Sequence, residues 1–262
     1  MVTATPDGNG QAAEFAAHGY LVLRGALSAE PCIALGQAAT GEYARLAQAG
    51  WRFAESGSLA GHLNFAMGPG GQVLVEALVA AAIPELLAAL AGEPLVLAQA
   101  VGNLNMPGSV HQDFHIDGAF ERCSLIANVC LVPTDATNGA TELVPGSNRA
   151  AMSYWRFHRD GWRGRGIRPE LEPGDVVIRP TNLWHRGTPN RSSHPRPMAA
   201  FVWSPAALAV GSEAASELAR PLTIFGNKYY GPLRRVKEFV AVRLPWLDEG
   251  ARLGRSWLGD RG

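Results

Sequence analysis

The stretch His111-Gln112-Asp113-Phe114-His115-Ile116-Asp117 decides how the rest of the chain is read. Successive side chains on a β-strand point to opposite faces. Read as a strand, the heptapeptide projects His111 with Asp113, and His115 with Asp117, toward one side. An imidazole and a carboxylate there, joined by a distant second imidazole, form a facial triad for a first-row divalent metal. Three metal positions then stay open on one side. The plainer alternative is a polar strand facing solvent, its histidines satisfied by water.

A distant partner is present. Thr181-Asn182-Leu183-Trp184-His185-Arg186-Gly187 follows the Pro173-Gly174 turn and a strand expected over Asp175 to Arg179. His185 lies 74 residues beyond His111, so it comes from a strand remote in sequence and adjacent in space. Eleven residues further on, Arg196 opens a strand continuing through Met198 to Trp203. A rigid guanidinium fork beside a metal suits a dicarboxylate that chelates at one end and is paired at the other. Arg191 competes for that role, but it follows Asn190 in a turn, so Arg196 is preferred. Trp184 alternates away from His185 and reads as core.

Working outward, helices come first and short strands later. Residues 1–10 are polar, Gly-rich and expected to be disordered. A short helix is expected over Gln11 to His18, ended by Gly19, then a strand over Tyr20 to Arg24. Ser28-Ala29-Glu30-Pro31 reads as a capped helix start. A long Gly- and Ser-rich loop is expected over Trp51 to Gly71, carrying His62, Asn64 and Phe65. Val73 to Ala91 reads as helix, with Pro84 able to split it. Beyond Pro94, short β-rich runs are separated by Pro-Gly and Asn-Gly turns. They fall at Leu95 to Val101, Ser124 to Val132, Thr141 to Val144, Asp175 to Arg179 and Met198 to Trp203. Helix returns at Ser212 to Arg220 and Pro232 to Val240, around a turn at Tyr229-Tyr230-Gly231-Pro232. A helical layer against a β-barrel or jelly roll follows, mainly β with flanking helices. One domain over residues 1–262 is expected, with residues 212–262 a C-terminal helical extension.

Composition narrows the function. Net charge is zero, so nothing favours nucleic acid or an anionic membrane surface. Positive charge is nearly all Arg, since Lys228 and Lys237 are the only lysines; genomic bias accounts for that. Cys32, Cys123 and Cys130 lack metal-site spacing and are expected to be reduced thiols in a cytoplasmic protein. No apolar run is long enough to span a bilayer, because Pro84, Gly92 and Pro94 interrupt the Ala-rich stretch.

The ordered set of motifs resembles the phytanoyl-CoA dioxygenase family of Fe(II)- and 2-oxoglutarate-dependent oxygenases. Glu14-Phe15 through Gly25 is similar to its first helix and strand, and His111-Gln112-Asp113 to its His-x-Asp motif. Asn138-Gly139 through Pro145-Gly146-Ser147-Asn148 resembles its Asn-Gly … Pro-Gly-Ser-His segment, with Asn148 where His is common. His185-Arg186-Gly187-Thr188-Pro189-Asn190 followed by Arg196 resembles its distal segment. The resemblance covers roughly residues 14 to 203.

It implies a double-stranded β-helix (jelly-roll, cupin-like) core with an N-terminal helical layer. It also implies Fe(II), 2-oxoglutarate as cosubstrate and O2. Carried over residue by residue, His111, Asp113 and His185 ligate iron and Arg196 pairs with the distal carboxylate of 2-oxoglutarate. Gln99 and Asn103 resemble cosubstrate contacts, though ordinary strand-end hydrogen bonding explains them equally. His115-x-Asp117 is an equally good local arm, but the family pattern places the metal pair first. His115 and Asp117 are therefore assigned to substrate. Trp155 and Arg156, in the aromatic and Arg-rich loop after the Pro-Gly-Ser turn, are assigned to the mouth of the site. With Asp113 present no ligand position is free for a halide, so hydroxylation or a related oxidation of a small molecule is expected, as in secondary metabolism. The rivals are a non-catalytic metal or small-molecule binder of this fold, and a zinc hydrolase.

Overall fold

The computed structural model describes residues 8–50, 57, 59–226 and 232–259. In chain order the elements are α1 (Gly8–His18), β1 (Leu21–Leu23), α2 (Ala29–Gln48), β2 (His62–Ala66), α3 (Gly68–Ala80) and α4 (Ile83–Ala91). Next come β3 (Leu95–Asn105), β4 (Leu125–Cys130), β5 (Glu142–Leu143), α5 (Tyr154–Arg159) and a 3-10 turn (Trp162–Arg165). The chain continues with β6 (Val176–Pro180), β7 (His185–Arg186), β8 (Arg196–Pro205), α6 (Ala214–Ala219), β9 (Thr223–Phe225), α7 (Pro232–Arg243) and α8 (Pro245–Gly259).

Seven strands form an antiparallel sheet in the order β1-β6-β4-β8-β3-β2-β9, and β5 pairs with β7 in a small second sheet. Alternation divides the large sheet into two faces. Leu104, Ala127, Val129, Val176, Ile178, Ala199 and Phe201 pack outward against Cys32, Leu35, Leu74, Leu78 and Leu87 of the helical layer. That contact removes most of the apolar surface from water and anchors the sheet. The opposite face turns toward the small sheet, where Cys130 and Val177 meet Leu143, Leu171 and Leu183. This is the helix-backed double-stranded β-helix; helix outweighs strand by residue count.

Several expectations shift. Gly8–Gly10 already belong to α1, while residues 1–7 lie outside the described residues. Ser28 stands at the α2 N-cap in extended geometry, but its side chain makes no capping hydrogen bond. The stretch expected as one long loop over Trp51 to Gly71 contains β2, paired with β3 in the register Phe65↔Gly102. A five-residue strand between glycines lacks enough alternation to be read from sequence. The same shortness hid β9. Pro84 does split its helix: Ala82, at φ 54, separates α3 from α4. The turn read at Tyr229-Tyr230-Gly231 lies outside the described residues.

Candidate metal centre

The decisive heptapeptide is not a strand. It runs as an extended segment with one isolated bridge, His115↔His185, beside β7. His115 and His185 exchange backbone hydrogen bonds at 3.0 Å in both directions. That register, rather than alternation, selects the metal pair: His111, Asp113, His115 and Asp117 share a parity, but only His115 lies opposite His185. His115, Asp117 and His185 therefore converge, with donor atoms all within 4.8 Å of one another. Asp117 Oδ1 is 3.4 Å from His185 Nε2 and 3.6 Å from His115 Nε2.

Both imidazoles are oriented by the same device. His115 Nδ1 lies 2.8 Å from the Asp113 carbonyl, and His185 Nδ1 lies 2.9 Å from the Leu183 carbonyl. A carbonyl can only accept, so each ring carries its proton on Nδ1 and turns a lone pair on Nε2 toward Asp117. Burial and the Arg179 guanidinium push His185 down to about 4, keeping it neutral. Burial opposes charge on Asp117, but the Arg179 guanidinium 2.8 Å away outweighs it and holds its carboxyl well below the usual range. Two imidazole nitrogens and one carboxylate oxygen on one side suit ferrous iron.

The sequence assignment of the metal pair is thereby corrected. His111 lies among Arg186, Arg168 and Glu142, and is exposed. Asp113 forms a 2.7 Å ion pair with Arg252 of α8. Gln112 is structural, its Oε1 accepting the Gly187 N–H. His115 and Asp117, assigned to substrate from sequence, stand in the triad instead. Arg156 is exposed on the outer side of α5, and the Trp155 backbone N–H donates to Ser256 Oγ. Around Asp113 the structure gathers Tyr154, His158 and Arg252, and Tyr154 is pushed up to about 12 by burial and by Asp113. Phe157 stacks on Trp184 at 4.3 Å, fixing α5 behind the triad.

Arg196 is 4% exposed, whereas Arg191 is exposed at the surface. Arg196 Nη2 donates to the Gly139 carbonyl at 2.8 Å, while Nε and Nη1 are buried without a hydrogen-bond partner. Burial pushes its pKa down to about 10. The Asn138-Gly139 turn is what supplies the carbonyl. Gly139 has φ +88, and a Cβ there would meet Asn105 Nδ2 at 2.2 Å. Arg196 helps line a cavity with Asn128, Cys130, Thr134, Thr141, Leu171 and Met198, among others. An unpaired buried guanidinium is costly, and a carboxylate in that cavity would satisfy it. Gln99 and Asn103 alternate with the core residues Ala100 and Leu104, which places them on the face of β3 away from the helical layer, and neither is among the residues lining that cavity.

Sequence reasoning missed Arg179. Its Nη2 lies 2.8 Å from Asp117 Oδ2, and its Nε donates to Asn128 Oδ1 at 3.2 Å. Parity with Val177 on β6 was the available signal.

The family model for phytanoyl-CoA dioxygenase matches residues 15–198. Among solved structures, the non-heme α-ketoglutarate-dependent carbocyclase SnoK from nogalamycin biosynthesis is 20% identical with TM-score 0.62, covering 89% of this chain and 92% of its own. The epimerase SnoN, in complex with Fe3+, α-ketoglutarate and nogalamycin RO, is 23% identical with TM-score 0.59, over 76% and 84%. EctD from S. alaskensis with 2-oxoglutarate and 5-hydroxyectoine is 21% identical with TM-score 0.59, over 79% of each chain. These likenesses establish a shared fold. With the family model matching most of its length, the chain belongs to the phytanoyl-CoA dioxygenase family of iron- and 2-oxoglutarate-dependent oxygenases.

Proposed function

We propose that this protein hydroxylates an unactivated C–H bond of a small molecule, using Fe(II), 2-oxoglutarate and O2. The supporting observation is the pairing of an iron-type triad, His115, Asp117 and His185, with a buried Arg196 whose Nε and Nη1 have no hydrogen-bond partner among the described residues. His115 and His185 hold the metal through Nε2, and Asp117 through Oδ1. Arg196 pairs with the far carboxylate of the cosubstrate, and the cavity between them excludes water. When bound, iron and 2-oxoglutarate supply oxygen activation. The chain's own work is to orient the donors, keep the cavity dry and hold the diacid at one end.

Asp117 fills the carboxylate position, so a halide has no place at the triad and hydroxylation is favoured over halogenation. The substrate enters beside Asp113, Tyr154, His158 and Arg252, a polar and aromatic mouth suited to a small ring-bearing molecule. Similar structures in complex with nogalamycin RO and with 5-hydroxyectoine support that class. Neither a zinc hydrolase nor a simple binder has a use for Arg196. The free thiols Cys32, Cys123 and Cys130 support a cytoplasmic setting, and among the described residues no single helix is long and apolar enough to cross a membrane.

Anaerobic addition of Fe(II) and 2-oxoglutarate tests the reading. A weak visible charge-transfer band is expected, followed by succinate release on admitting oxygen. Absence of the band at saturating iron and cosubstrate would reject it.

A further inference from the structure

Arg179 is the strongest feature that the proposed reaction leaves unused. Its side chain is 7% exposed, and its guanidinium is split among three directions. Nη2 takes Asp117 Oδ2, Nε takes Asn128 Oδ1, and Nη1 is buried without a hydrogen-bond partner. Asp117 is held with one oxygen on Arg179 and the other facing both histidines. That carboxylate can therefore offer iron a single oxygen, since the second is already taken.

Register shows where Arg179 stands relative to Arg196. Arg179 lies opposite Ile126, which lies opposite Val202. The next inward rows toward Arg196 are Val177, Asn128 and Ala200, then Cys130, Met198 and Asn103. Arg196 follows, opposite Asn105. Val177, Asn128, Cys130 and Met198 from those intermediate rows line the cavity, together with Arg196. Arg179 lies beyond that lining, with its Nε on the lining residue Asn128. Two buried guanidiniums, each with an N–H that has no hydrogen-bond partner among the described residues, thus flank the same strand rows.

We infer that Arg179 is a cosubstrate-binding residue whose Nη1 donates to the carboxylate of 2-oxoglutarate that chelates iron. This rests on the reaction proposed above. A dianion with a carboxylate at each end suits two buried guanidiniums, one beside Asp117 and one lining the cavity. Arg179 would in addition position Asp117 as a one-oxygen ligand.

Pyruvate separates the two arginines, because it keeps the chelating keto acid and lacks the distal carboxylate. Titrations of the anaerobic Fe(II) protein at saturating iron, followed by the charge-transfer band, compare both acids in wild type, Arg179→Gln, Arg179→Lys and Arg196→Gln. Arg179→Gln is expected to weaken 2-oxoglutarate and pyruvate alike, by about tenfold or more, and to move the band position. Arg196→Gln should weaken 2-oxoglutarate while leaving pyruvate within a factor of about two. Arg179→Lys keeps the charge but cannot bridge three acceptors, so it too should lose pyruvate affinity; it serves if the Gln variant fails to fold. Wild-type pyruvate affinity and band position in folded Arg179 variants would overturn the assignment. No band in wild type with either acid would instead overturn the proposed reaction.

Discussion

At the scale of single residues, the site turns on two near-identical dipeptide spacings. Exchanging His115 or Asp117 for Ala should abolish iron binding, measured by anaerobic metal titration, while His111→Ala should retain it. Iron loss in the His111 variant with iron retained in the His115 variant would reverse the assignment. Arg196→Gln removes a charge-assisted pair worth about 2–5 kcal/mol, so half-saturation by 2-oxoglutarate should rise at least tenfold. The sequence made the candidates legible: two His-x-Asp arms, His185 and Arg196 were all singled out by the motifs. The family pattern chose His111 and Asp113, but the residues themselves left the arms unranked, because all four candidates share one parity and alternation cannot rank them. Only the bridge between His115 and His185, a contact across 70 residues, does so. Arg179 was illegible for a related reason. Its role depends on reaching Asp117 from a different strand.

Among elements, the long strands and the main helices were readable because their apolar periodicity runs over many residues. The short strands β2 and β9 were not, although β1 and β5, also short, fall inside runs read from sequence. The β2–β3 pairing is specified instead by fit: Phe65 lies over Gly102, where a Cβ would sit 2.2 Å from the ring. Gly102→Ala should therefore lower stability by about 1–3 kcal/mol in denaturant unfolding, through overpacking. A change below a few tenths would mean that the ring relocates freely. The turn before β6 is held by Asp175, which is 3% exposed and accepts from the Gly25 and Glu172 N–H groups and from Arg24. Burial opposes its charge, but those donors outweigh it and hold the carboxyl below its ordinary value. A group with a depressed folded-state value stabilises the fold above its unfolded value and loses that contribution as pH falls through the folded one. Asp175→Asn should thus destabilise at pH 7 and narrow the gap to wild type below about pH 4. Parallel stability curves for the two proteins from pH 7 to pH 3 would contradict this.

Across the whole molecule, the sheet and its helical layer form one apolar body, whereas α8 is attached by polar contacts. No residue of α8 is buried. Its inward side carries Arg252 on Asp113, Glu249 on Arg163 and His158, and Ser256 on the Trp155 N–H. Trp246 and Leu258 point outward, 69% and 64% exposed. The helix is amphipathic in reverse, with its charged stripe toward the protein. Ion pairs at partly exposed positions weaken as salt rises, and the Debye length falls to about 3 Å at 1 M. Amide exchange in α8 should accordingly speed up with added salt while exchange in β4 and β8 stays slow. The body, held by apolar burial, gains no such sensitivity. Asp113 and the rim it belongs to are covered by a segment whose hold depends on dissolved electrolyte, so turnover and ionic strength become coupled through the door rather than through the iron.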